Sequence, residues 1–346
     1  LNFRSVSFRS AHMYQSEFEI IRRYFAESGL YFDKSGVELG IGDDAALLQV
    51  PEDKLLALSM DILVESVHFP MSADPGLVAN RALAVNLSDL AAMAAEPFCF
   101  TLGLVLPDND EHWLQEFSQG LLPLARKYNC PLVGGDITRG PLSICIQVQG
   151  LCEKHHAVRR SGACVGDKIY VSGTLGDGAI ALASLAQESH LGKSFALISE
   201  NISANCRQYF ENAYYKPEPR IELARRTASL LSSGIDISDG LLGDLGHITQ
   251  ASGVGAKLSV NLLPFSASAI CCMSEENRLL AALHGGDDYE LCCTLPANNC
   301  AQFEEQARQA DTPVTCIGEI VAGSGIVCVD EAGNSLSIEA ASYQHF

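Results

Sequence analysis

Apolar residues recur along the chain with a changing period, and each change of period marks an element. Ser16-Glu17-Phe18-Glu19 is a capping box, in which a serine and a glutamate three residues on satisfy each other's free amides. Phe18, Ile21 and Phe25 follow at helical spacing until Gly29. "LLALS" (55–59) predicts a strand ending in Met60-Asp61. Asp74-Pro75 caps and opens a helix to about Ala94, and "FTLGLVL" (100–106) predicts the next strand. Trp113, Phe117, Leu121 and Leu124 share one face of a helix that Pro123 should bend. "PLV" (131–133) and "LSICIQVQG" (142–150) predict strands around a polar, glycine-rich connection, "GGDITRGP".

A charged stretch, "EKHHAVRRSG", separates this half from a second one. There "DKIYVSG" (167–173) predicts a strand running into a tight turn, followed by a helix from Ala179, another over 219–232, and a strand-turn-helix in "IDISDGLLGDLGHI". A strand over 256–260, the turn in "HGGDDYELCC" and a last α/β portion complete the chain. The alternation predicts an α/β (α+β) protein. At 346 residues and 47% hydrophobic content it divides into two domains, expected at 13–153 and 154–346. The opening "LNFRSVSFRSAHM" has no initiator Met, and His12-Met13 resembles a cloning site, so residues 1–12 are expected to be an expression scar.

No apolar run approaches the roughly 20 residues of a spanning helix, so no membrane partner is expected. Thirteen cysteines form no C-x-x-C and sit mostly in apolar strings such as Cys271-Cys272 and Cys292-Cys293. Reduced, buried thiols in a cytoplasmic protein follow. A net charge of −19 disfavours nucleic acid, whose phosphates need Lys and Arg. Phosphate bound by such a chain calls for cations.

The acids themselves supply the place for those cations. Asp43-Asp44, Asp61, Asp136, Asp236, Asp239 and Asp287-Asp288 each end an apolar strand or sit in a glycine turn beside one. Asp89 lies inside "ALAVNLSDLAAMAAEP", a helix apolar almost all round, where an unpaired carboxylate costs several kcal/mol. The segments holding Asp43, Asp61, Asp89 and Asp236 carry almost no Lys or Arg, and oxygen-only donors without Cys/His spacing indicate Mg²⁺, Mn²⁺ or Ca²⁺ rather than Zn²⁺. Gly192-Lys193-Ser194 imitates the end of a phosphate loop, but Gln187 stands where its first glycine belongs. "SGTLGDG" (172–178) reads as a tight strand-to-helix turn, and His155-His156 has no partner spacing for a metal.

Taken in order, "ELGIGDDAALL", "VNLSDLAAMAAEP", "GGDITRGPLSI", "RRSGACVGDKIYVSG", "IDISDGLLGDLGHI", "GGDDYELC" and the terminal "YQHF" resemble the bacterial thiamine-monophosphate kinase family. That family belongs to an ATP-using superfamily with aminoimidazole ribonucleotide synthetase. The resemblance implies a two-domain synthetase-like fold, with an N-terminal mixed sheet forming a dimer barrel and a C-terminal α/β domain. It also implies phosphorylation of thiamine monophosphate to thiamine diphosphate by ATP, directly and in line, at a site holding several Mg²⁺ in a homodimer.

By the same resemblance, Asp44, Ser59, Asp61, Asp89, Asp136, Asp236 and Asp239 fall at metal positions. Gly135, Asp136, Arg160 and Ser238 fall at nucleotide positions, and His68, Asp287 and Tyr343 at substrate positions. Asp44, Asp89, Asp136 and Arg160 are the expected catalytic set. Two departures stand out: Met60 replaces the family's usual Thr, and Asp287 the Glu that often opens the substrate turn. The alternatives are another ATP-using member of the superfamily, of aminoimidazole ribonucleotide synthetase type, or a non-catalytic divalent-cation-binding protein. The first selenophosphate- or hydrogenase-type rivals would want a reactive Cys near one end, whereas the first cysteine here is Cys99 and the chain ends Gln344-His345-Phe346.

Overall fold

The structure, a computed structural model, describes residues 16–185 and 203–336. The N-terminal segment comprises α1 (Glu17–Ile20), β1 (Val37–Leu39), β2 (Leu47–Leu48), β3 (Lys54–Val64), α2 (Pro75–Ala92), β4 (Glu96–Leu106), α3 (Glu111–Lys127), β5 (Leu132–Arg139) and β6 (Ser143–Glu153). Its four-stranded sheet has the order β3-β6-β4-β5, antiparallel except for the parallel pair β4 and β5. Both β3 and β5 are therefore edge strands.

The C-terminal segment contains β7 (Lys168–Ser172), α4 (Asp177–Leu185), α5 (Ala204–Tyr215), α6 (Ile221–Thr227), β8 (Ser233–Asp236), α7 (Leu241–Ser252) and β9 (Gly255–Ser259). It continues with α8 (Ala267–Cys272), α9 (Glu275–His284), β10 (Leu291–Leu295), α10 (Cys300–Gln309), β11 (Val314–Val321), β12 (Gly325–Val329) and β13 (Ser335–Leu336). Seven strands form one mixed sheet, β13-β12-β9-β11-β7-β10-β8, in which only β12 and β9 run parallel.

Helix α2 joins the two segments. Asp74 caps it by accepting the Leu77 amide, and Pro75 opens it with a φ that suits the first turn. One side packs on β3 and β6, the other on α5, α6 and β8, which explains why it is apolar all round. Leu83, Leu87 and Leu90 are fully buried there, each worth about 1.5–3 kcal/mol of transfer from water.

Four expectations change. The first helix passes into a π-helical stretch, Ile21–Ala26, and its wider turn rotates the apolar face: Ile20, Tyr24 and Phe25 are buried while Phe18 is 82% exposed. "GGDITR" is strand rather than connection, because β5 runs on to Arg139 beside β4. Gly135 has φ +157°, and a Cβ there would lie 1.9 Å from the Leu102 carbonyl oxygen. The helix expected over 219–232 ends at Thr227 and tightens into a 3₁₀ turn over Ala228–Leu230. Three strands also outrun their apolar stretches because their neighbours keep pairing with them: β3 continues past Asp61 to Val64, β4 begins at Glu96 rather than Phe100, and β6 continues past Gly150 to Glu153, while the remaining ends agree to within one or two residues.

Candidate active site

Three groups of the singled-out residues emerge. The first lies at the seam between the two segments. Residues of β3 alternate between faces, so Ser59 and Asp61 point the same way, toward α2. Ser59 donates to Asp89 Oδ2 at 2.5 Å, and Asn86 Oδ1 accepts the Asp61 amide at 3.1 Å. From the same helix, Ser88 donates to Asp236 Oδ2 at 2.7 Å, tying α2 to the end of β8. The turn after β8 carries Ser238 and Asp239, whose amides both bond Asp244 Oδ2 at 3.0 Å.

This seam is rich in carboxylates and poor in cations. Burial, then the charge of Asp89, pushes Asp61 up to about 6. The same two causes push Asp236 up to about 8, although Ser88 opposes them. Burial pushes Asp244 up to about 7 against its two amide bonds. Asp89 is also raised by burial, with the Ser59 hydroxyl and Arg160 opposing. The sequence had suggested no cation near these acids, but two arginines reach them from afar. Arg81 acts on Asp61, and exposed Arg160 acts on Asp89 and Asp244. Asp167 accepts from the Ser232 hydroxyl and the Cys164 amide.

The second group adjoins the seam, since the Asp287 amide donates to the Ser238 carbonyl at 2.8 Å. Asp287 adopts φ +61°, a left-handed conformation held by that bond and by the neighbouring Gly286 at φ +69°. Arg81 binds Asp287 Oδ1 at 2.5 Å through Nη2 and the Tyr214 carbonyl at 2.8 Å through Nη1, with the Tyr214 ring 3.9 Å away. Tyr214 in turn donates to the His68 carbonyl at 2.5 Å. His68 Nδ1 accepts the Val64 amide at 3.0 Å, so its proton, when neutral, sits on Nε2. His68 and Asp287 thus belong to one network despite their distance in sequence.

The third group stands apart. Asp43, Asp44, Gly135 and Asp136 line an open cavity of roughly 730 Å³ that Phe18 also borders. Asp43 and Asp44 are exposed, as are Ala45 and Leu47, so the turn does not enter the core; only Ala46 and Leu48 pack, against Phe98, Cys99 and Val133. The seam acids and this group are three strands apart. Asp61 faces Ile146, Ile146 faces Leu102, and Leu102 faces Gly135, which spans about 14 Å across the sheet.

Arg81, Asn86, Ser88, Tyr214 and Asp244 were missed. Arg81 had the same signal as Asp89, a charge in an apolar helix, and Asp244 lay within the quoted "SDGLLGD". The amides of the "SGTLGDG" turn are occupied: Gly176 and Gly178 donate to Asp288 at 2.8 and 3.1 Å. Tyr343, residues 1–12 and Gly192-Lys193-Ser194 lie outside the described residues. No helix among those described is long and apolar enough to cross a membrane.

Residues 42–152 match the family model for the AIR synthase related protein N-terminal domain, and 165–331 match that for its C-terminal domain. The chain is 43% identical to "Thiamine-monophosphate kinase" of Escherichia coli (strain K12), over 95% of this chain and 98% of that one. A crystal structure of thiamine-monophosphate kinase from Stenotrophomonas maltophilia K279a superposes with a TM-score of 0.78 at 39% identity, covering 86% of this chain and 92% of that one. A solved chain described as AaThiL complexed with AMPPCP and TMP gives 0.72 at 30% identity, covering 88% and 92%. With a two-domain mixed α/β fold and this similarity over nearly its whole length, the chain belongs to the thiamine-monophosphate kinase family of AIR synthase related proteins.

Proposed function

We propose that this chain phosphorylates thiamine monophosphate with ATP. The terminal phosphate oxygen of thiamine monophosphate attacks the γ-phosphorus of ATP, a P–O bond forms as the bond to ADP breaks, and thiamine diphosphate and ADP are released. The observation that carries this reading is the seam of carboxylates withdrawn from water, Asp61 with the hydroxyl-bonded Asp89 and Asp236, set against the Arg81-Asp287-His68 network. Transfer between two phosphates demands charge neutralisation and alignment, and needs no side chain as a nucleophile.

Oxygen-only donors in a cation-poor setting fit Mg²⁺, which keeps waters and shares phosphate oxygens with few protein ligands. Asp61, Asp89, Asp236 and Asp239, with Ser59 beside them, would hold it on one side, and Asp44 and Asp136 on the other. Magnesium, when bound, neutralises the charge of the reacting phosphates. Arg160, exposed and in no close ion pair among the described residues, presents its guanidinium fork to phosphate oxygens. Ser238 keeps its hydroxyl for the nucleotide, since Asp244 takes only its amide. Gly135 lets the backbone approach beside Asp136. His68 and Asp287 face thiamine monophosphate, and Tyr343 takes its cationic ring.

The working unit is a homodimer. The two halves of the acid set lie on opposite edges of one sheet, so one protomer does not join them. Pairing β3 of one protomer with β5 of its partner brings them side by side and closes the two four-stranded sheets into a barrel. The exposed face of β3 suits this, with Leu58, Met60 and Ile62 each more than half exposed. Left open, such an edge would aggregate. The N-terminal unit then comprises residues 13–153 and the C-terminal unit 154–346. Thirteen free cysteines suit the reducing cytoplasm. ADP release that requires both ATP and thiamine monophosphate tests the reading; ADP release indifferent to thiamine monophosphate overturns it.

A further inference from the structure

Helices α5 and α8 bring three thiols together far from the acids in function. Cys206 lies in the first turn of α5, capped by Ser203, whose oxygen accepts the Cys206 amide at 3.2 Å. Cys271 and Cys272 end α8, which Ser266 caps at its start while also donating to Asp177 at 2.6 Å. Among the described residues, the sulfur atoms of Cys206, Cys271 and Cys272 all lie within 4.8 Å of one another. The Cys206 thiol also meets the hydroxyls of Ser203 and Ser268.

We infer that Cys206, Cys271 and Cys272 form a binding site for a thiophilic metal ion, Zn²⁺ in the first instance. Zinc–sulfur bonds of about 2.3 Å set tetrahedral sulfurs roughly 3.8 Å apart, so small side-chain rotations close the observed triangle. Thiolates select zinc or Cu⁺ over Mg²⁺, and no oxygen of the kinase acids takes part. Three protein sulfurs leave one coordination position, which the exposure of Cys271 opens to water. Two helices from separate stretches of sequence are clipped by such an ion, and α5 is the helix that carries Tyr209 to Asp177 and Tyr214 to His68. Each ligand loses a proton as the sulfur–metal bond forms, so binding releases acid.

The test is a Zn²⁺ titration of the reduced, full-length protein against a chromophoric chelator, in excess Mg²⁺ to occupy the carboxylates. One equivalent should bind tightly. Cys271→Ser, at the surface, and Cys206→Ser should each weaken it by more than about a hundredfold, the upper end of what losing an outer partner costs. Co²⁺ in the same protein should show a thiolate-to-cobalt charge-transfer band, absent from Cys206→Ser, and circular dichroism should show both variants folded. Equal Zn²⁺ affinity in wild type and variants, or no uptake of Zn²⁺ by the reduced wild-type protein, overturns the assignment.

Discussion

Arg81 and Asp287, 206 residues apart, form an ion pair across the seam, with Nη2 2.5 Å from Oδ1 and the arginine side chain 3% exposed. Burial alone would favour loss of the arginine proton, but Asp287, Tyr214 and Tyr289 outweigh it and hold the guanidinium charged. The pair fixes a carboxylate at a left-handed turn residue, which gives Asp287 a firm position at the seam.

Arg81→Lys keeps the charge but loses the planar fork that serves both Asp287 and the Tyr214 carbonyl. Leaving one buried partner unsatisfied should cost about 1–3 kcal/mol of stability. The KM for thiamine monophosphate should rise about tenfold with little change for ATP. Denaturant midpoints and steady-state kinetics check both; an unchanged midpoint would show that Arg81 does not organise the seam.

Magnesium should stabilise the protein more at high pH than at low. Asp61, Asp244 and Asp236 are raised to about 6, 7 and 8, all above the unfolded carboxylate value near about 4. Protonation therefore favours the folded state: this contribution is complete below about pH 4 and lost as pH climbs through about 8. Without Mg²⁺ the melting temperature should fall between about pH 4 and pH 8, and Mg²⁺ should restore more of it at the upper end. A magnesium shift of equal size at both pH values would contradict the assignment.

Asp89→Asn and Asp136→Asn should each abolish turnover while the fold survives. Asn can still accept the Ser59 hydroxyl in place of Asp89, and Asp136 is exposed. Each change removes ligand charge at nearly constant volume. Near-normal rates at saturating Mg²⁺ in either variant would remove that residue from the metal set.

Transfer from ATP made chiral at the γ-phosphorus should proceed with inversion, because the seam carboxylates serve as metal ligands and the acceptor phosphate oxygen attacks directly. Net retention would require a phosphoenzyme and a different mechanism.

Much of the fold could be read from the chain because period and punctuation agree. Asp74-Pro75 opens α2 where the pattern placed it, and the apolar circumference of that helix foretold its burial on both sides. Phe18 misled because a π-helical stretch breaks the 3.6-residue period that places a side chain on a face. Within the site, Asp89 could be found as a charge in an apolar helix. Arg81 carried the same mark, yet its partner Asp287 comes from a turn that only the tertiary fold brings near. Sequence could not reveal that Asp61 and Asp136 sit on opposite edges of a sheet, since strand order follows from long-range pairing.

That separation gives the most direct measurement. Doubly tagged heterodimers of Asp89→Asn and Asp136→Asn protomers, purified after co-expression, are assayed for thiamine diphosphate formation from ATP and thiamine monophosphate. If each site takes Asp89 from one protomer and Asp136 from its partner, one site per heterodimer is intact, and about half of wild-type activity returns from two inactive parents. A heterodimer as inactive as its parents would show that each protomer builds its site alone, and would contradict the account.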